Sequence, residues 1–136
     1  MLVLDTGVLV AAADRTDPHH TASAAIIRDD PGPLVTTAMV IGEAAYLLDR
    51  ELGPAAEAAL YASIIDGDLT VESLGPHDWS RIRELVETYA DLRLGGTDAS
   101  LIAITERLGV TRVATLNRRH FTVVRPAHCD ALDLIP

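Results

Sequence analysis

Four oxygen-bearing side chains stand out in this sequence by their placement against apolar runs. Asp5 ends the run Leu2–Leu4, and Glu43 interrupts the largely apolar stretch Met39–Leu48. Asp98 follows the paired glycines Gly95 and Gly96, and Asn117 follows the run that ends at Leu116. Three carboxylates and one amide oxygen make a donor set suited to a hard divalent cation, Mg²⁺ or Mn²⁺, since both prefer oxygen ligands. Zinc is disfavoured because no His or Cys pair has metal-ligand spacing. His19 and His20, after Asp17-Pro18, read as surface residues. His128, next to the single cysteine Cys129, is too isolated to make a site.

Each of the four residues also has an ordinary structural explanation. An Asp after a strand can start the next helix, although ligands of open α/β sheets bind beyond the carboxyl ends of the strands. Asp98 in a helical first turn complements the helix dipole, while the glycines before it would let other backbone approach closely. Asn117 is a common turn former. Glu43 is the most telling. Its helical neighbours at three and four residues are Met39, Val40, Tyr46 and Leu47, and the other face carries Ile41, Ala44, Ala45 and Leu48. A helix so apolar all round is expected to be covered on most sides. A carboxylate there is costly without a cation or hydrogen-bond partners, unless it faces a solvated gap.

The elements that must position these groups alternate between short apolar runs and longer helical patterns, which predicts a parallel α/β sheet. Strands are expected at Leu2–Leu4, Leu34–Thr36, Leu69–Val71, Arg112–Leu116 and Thr122–Val124. Helices are expected over Gly7–Ala13, Pro18–Arg28, Ala38–Glu51, Pro54–Ile65, His77–Tyr89 and Thr97–Leu108. Pro54 suits a first helical position, and Gly109 suits a helix end. The 136 residues read as a single domain, 1–136, with no repeat, low-complexity tract or linker.

Composition narrows the function. With 49% hydrophobic residues the chain has material for a core. No segment approaches the ~20 apolar residues of a membrane span. One cysteine allows no internal disulfide, which is compatible with a reducing, cytoplasmic location. The net charge of −9 argues against binding long duplexes through phosphate contacts alone. It permits an enzyme that approaches RNA locally through metal ions, and it suits a basic partner. All eleven basic residues are arginines.

Taken together, the segments "LVLDTGVLVAAADRTDPHH", "VTTAMVIGEAAYLL", "YADLRLGGTDASLIAITERLG" and "VATLNRRHF" resemble the four motifs of the PIN-domain ribonucleases, and more narrowly of VapC-type toxins of VapBC toxin–antitoxin modules. The resemblance spans essentially the whole chain, in order. It implies a three-layer α/β fold with a central parallel sheet flanked by helices. It also implies Mg²⁺-dependent RNA cleavage, a homodimer, and inhibition by a small antitoxin protein. Asp5, Glu43 and Asp98 match the family's metal-binding acids. Asn117 falls where members commonly have Asp, which removes one negative charge from the second metal position. Thr6 and Thr115 match polar positions that support the site.

On this reading Asp5, Glu43 and Asp98 hold a metal whose bound water attacks a phosphodiester in line, and Asn117 ligates weakly or orients a water. Arg118 and Arg119 are placed to hold RNA phosphates. With no lysine, and no arginine beside the acids in their motifs, the converging carboxylates are expected to repel one another without a neutralising cation. Rival readings fit less well. "LDTG" also occurs in aspartic proteases, but those are β-rich. A receiver domain would want a lysine after a late strand. A haloacid-dehalogenase phosphatase would want an Asp where Gly7 stands. The alternative from a different class is a catalytically weak PIN-like module that works by binding proteins.

Overall fold

The computed structural model describes residues 1–136. Its strands are β1 (Leu2–Leu4), β2 (Leu34–Thr37), β3 (Thr70–Glu72), β4 (Arg112–Ala114) and β5 (Asp133–Ile135). They form one sheet in the order β3-β2-β1-β4-β5, with every neighbouring pair parallel. Parallel neighbours need crossover connections. Here the crossovers are helices that flank the sheet: α1 (Thr6–Ala13), α2 (His20–Asp29), α3 (Ala38–Leu52), α4 (Pro54–Ile65), α5 (Pro76–Thr88), α6 (Gly96–Leu108) and α7 (Arg118–Val123). The α/β architecture expected from the alternation of runs is the one observed.

β1 occupies the centre. Leu2, Val3 and Leu4 are all fully buried, which explains why this strand is continuously apolar rather than alternating. Val3 stands opposite Val35 on one side and Val113 on the other. From β1 the chain winds outward through β2 and β3, then crosses back to β4 on the other side. That reversal leaves the carboxyl ends of β1 and β4 side by side, which is where open sheets of this kind bind ligands. The Thr36 hydroxyl donates to the Leu4 carbonyl at 2.8 Å, fastening β2 to the last residue of β1.

The last third of the chain departs from expectation in three respects. Thr122–Val124, expected as a strand, belongs to the short helix α7 and its C-cap. Phe121 is buried there, and a six-residue helix is enough to bury it. The fifth strand is instead Asp133–Ile135, which pairs with β4 from Arg112↔Asp133 to Ala114↔Ile135. β4 also stops at Ala114, so Thr115 and Leu116 lie beyond the strand.

Helix α3 is not covered on most sides. Val40, Ala44, Ala45 and Leu48 are buried, whereas Gly42, Glu43 and Asp49 are exposed and Tyr46 is 65% exposed. Its buried stripe packs on α1, α4, α6 and β2 and leaves a free face. Gly96 admits a side chain rather than a backbone: a Cβ added there would lie 2.8 Å from the Met39 methyl, while nothing approaches Gly95.

Candidate active site

Asp5 is placed by β1 and caps α1, accepting a 2.7 Å hydrogen bond from the Thr6 amide through Oδ1. Its other oxygen accepts from the Thr115 hydroxyl, also at 2.7 Å. Thr115 follows β4, so this bond ties the ends of the two switch-point strands together. The Thr115 oxygen in turn accepts the Asn117 amide at 3.0 Å, which orders the turn into α7. Thr6, the first residue of α1, donates its hydroxyl to Oε2 of Glu43 at 2.8 Å. Glu43 is thus anchored from below although its helix face is open to solvent. Asp98 lies in the first turn of α6 with its side chain 14% exposed.

Asp5, Glu43, Asp98 and Asn117 line one open pocket of about 350 Å³ with Thr6 and Leu116. The four sequence-derived site residues, from β1, α3, α6 and the β4–α7 turn, are therefore brought together. An apolar cavity of about 230 Å³ lies elsewhere, among Leu9, Ile27, Leu48 and Leu60, and offers nothing suited to phosphate chemistry.

The electrostatics of the pocket are set by Asp5, which is only 5% exposed. Burial, and then the neighbouring Asp98 and Glu43 carboxylates, push its pKa up from 3.8 to about 6, against the hydrogen bonds from Thr115 and Thr6. Such a site gains from a bound cation. No three His, Cys, Asp or Glu side chains close on one point as direct metal ligands. Glu43 and Asp98 each turn one oxygen to a protein donor. That arrangement suits Mg²⁺, which keeps several waters and takes only one or two carboxylates directly. The donor chemistry of the pocket fits a hydrated hard ion.

One member of the site escaped the sequence reading. His120, in the first turn of α7, brings Nδ1 to 2.6 Å from Oδ2 of Asp98. The same nitrogen is 3.1 Å from Nδ2 of Asn117. The acids therefore do have a neighbouring donor, contrary to the expectation drawn from lysine and arginine alone. The available signal was the three-residue spacing of Asn117 and His120, which puts an N-cap residue and a helical residue on one side of a turn. Arg118 also departs from expectation: its guanidinium donates to the carbonyls of Leu134 and Pro136, beside β5, and does not line the pocket. Arg119 is exposed.

The PIN domain family model matches residues 2–125 of this chain. Ribonuclease VapC26 of Mycobacterium tuberculosis is 29% identical to it over 135 residues, covering 99% of this chain and all of that protein. Among solved structures, VapC20 of Mycobacterium tuberculosis, a toxin that cleaves the sarcin–ricin loop, superposes with a TM-score of 0.78 at 21% identity. That match covers 83% of this chain and 87% of the other.

Proposed function

Because the chain belongs to the PIN domain family, we propose that it is an endoribonuclease toxin of a type II toxin–antitoxin module, cleaving RNA phosphodiesters with the help of Mg²⁺ or Mn²⁺. The observation that carries this reading is the convergence of Asp5, Glu43 and Asp98 on one pocket, with Asp5 pushed up to about 6. Near-full-length similarity to a ribonuclease supports it.

Asp5, Glu43 and Asp98 are the residues that would hold the metal, directly or through water. When bound, the ion supplies a water of lowered pKa and offsets charge developing on the phosphorus oxygens. Thr6 and Thr115 orient the Glu43 and Asp5 carboxylates through the hydrogen bonds already described. Asn117 keeps a polar wall on the β4 side of the pocket.

The RNA partner is joined in this reading by a small cognate antitoxin and by a second copy of the chain. The exposed apolar side chains Tyr46, Tyr61, Ile65 and Trp79 and the net charge of −9 favour protein partners, a basic antitoxin among them. No helix is long and apolar enough to cross a membrane, in keeping with action in the cytoplasm.

The test is to incubate purified protein with total RNA in Mg²⁺, Mn²⁺ or EDTA. Cleavage is expected with either metal and not with EDTA; equal cleavage in EDTA would overturn the metal-dependent reading. The Asn at position 117 favours one alternative, a binding module with little catalysis. A Mn²⁺ titration separates the two, since a protein-binding module has no need to hold the ion.

A further inference from the structure

We infer that His120 is a positioning residue for the metal site: its Nδ1–H fixes Oδ2 of Asp98 so that the other carboxylate oxygen is presented to the pocket. The inference rests on the metal-dependent reading above. The imidazole nitrogen Nδ1 of His120 lies 2.6 Å from the carboxylate oxygen Oδ2 of Asp98. Two lone pairs at that distance would repel, so a proton lies between them; with Asp98 a carboxylate, as a metal ligand must be, Nδ1–H is the donor. The tautomer of His120 follows from its partner.

The position of that proton also decides what Asn117 does. Its side-chain nitrogen stands 3.1 Å from the same Nδ1, whose N–H is already directed at Asp98. An amide NH₂ facing an N–H is unfavourable. The amide is better satisfied with its oxygen toward the ring, sharing the N–H with Asp98. The Asn117 oxygen is then engaged by His120 rather than offered to an ion. Asp98, His120 and Asn117 make one hydrogen-bonded unit, built from the first turns of α6 and α7.

The unit answers a specific need. Asp5 has two donors, from Thr6 and Thr115, and Glu43 has one, from Thr6. Asp98 has no threonine partner, and His120 supplies its donor. Every acid of the pocket is thereby held by a neighbour before any ion binds, which lowers the reorganisation that binding requires. The His120 side chain is 21% exposed, so the contact is shielded enough to persist.

Two substitutions separate positioning from packing. His120→Phe keeps a ring and removes the N–H. His120→Asn gives up the ring but places an amide nitrogen two bonds from Cβ, as Nδ1 is. Mn²⁺ affinity is read from the free-ion signal in electron paramagnetic resonance, with circular dichroism as the check of folding. We expect His120→Phe to weaken Mn²⁺ binding by about tenfold or more, and His120→Asn to stay within about threefold of the parent. The opposite order, Phe retaining affinity and Asn losing it, would show that the ring only fills space and would overturn the inference. Affinity raised by His120→Phe would also overturn it, by showing that His120 competes with the ion. Should His120→Phe fail to fold, a tenfold loss in His120→Asn is by itself enough to reject the role. A parent protein that binds no Mn²⁺ would instead remove the metal-site reading, and this inference with it.

Discussion

The Thr6 hydroxyl and the Glu43 carboxylate, 37 positions apart, meet at 2.8 Å. This one bond joins the first residue of α1 to the exposed face of α3 and fixes the most solvent-open acid of the pocket. Thr6→Val removes it at little change in shape. Glu43 can then turn to water, so the stability cost should fall at the low end of the usual range, about 0.5 kcal/mol. Cleavage should fall much further, because a freed Glu43 samples many rotamers. Thr6→Ser should restore both. Melts in EDTA alongside RNA cleavage rates make the comparison; a parental cleavage rate in Thr6→Val would mean that Glu43 works without its anchor.

The metal-free protein should lose stability as pH rises from about 4 to about 6. Asp5 has a folded pKa of about 6 against 3.8 unfolded. Between those values the folded state binds the extra proton, so protonation favours folding and ionisation above pH 6 removes that advantage. The contribution is at most about 3 kcal/mol. The lowered acids Asp14, Asp29 and Asp30 act in the opposite sense, but below this window. Urea melts in EDTA at pH 4.5, 6 and 7.5 should show the decline, and saturating Mg²⁺ should reverse it at the higher pH. A rise in apo stability across the window would contradict the burial of an unneutralised Asp5.

Asp5→Asn should flatten that profile. At pH 7.5 the metal-free variant should be more stable than the parent by about 1–2 kcal/mol, since it need not bury a charge beside two others. The added stability conferred by Mg²⁺ should vanish, and cleavage with it. Differential scanning calorimetry with EDTA and with Mg²⁺ would measure both; an unchanged response to Mg²⁺ would exclude Asp5 from the metal site.

Asp98→Asn carries a subtler expectation. If the acids stood alone, removing one charge would stabilise the metal-free fold. His120 alters that balance, because the charge-assisted bond it makes to Asp98 is weakened when the acceptor becomes neutral. The relief at Asp5 and the loss at His120 nearly cancel. The apo variant should therefore melt within about 1 kcal/mol of the parent, while cleavage is lost and Mg²⁺ stabilises it less. A variant with full Mg²⁺ response and lower apo stability would mark Asp98 as a helix-dipole residue only.

The sequence by itself was enough for the parts governed by local pattern. The unbroken run Leu2–Leu4 marks a strand buried on both faces, and Asp5 directly after it marks the carboxyl end where such sheets bind ligands. Pro54 opens α4, and Gly109, at φ 67°, closes α6, as their backbone preferences require. Motif order sufficed to nominate Asp5, Glu43, Asp98 and Asn117, which share one pocket. Tertiary structure alone decided what depends on contacts between distant segments. Asp133–Ile135 is a strand because Arg112–Ala114 offers an edge to pair with, whereas the β-branched Thr122–Val124 joins a helix because Phe121 must reach the core. Likewise, Glu43 lies on an open face rather than a covered one, because burial of α3 depends on which of its stripes meets α1, α4 and α6. His120 lies 22 residues from Asp98, a separation at which no periodicity operates. Only the packing of α7 beside the start of α6 brings a ring nitrogen to the one acid that lacks a threonine.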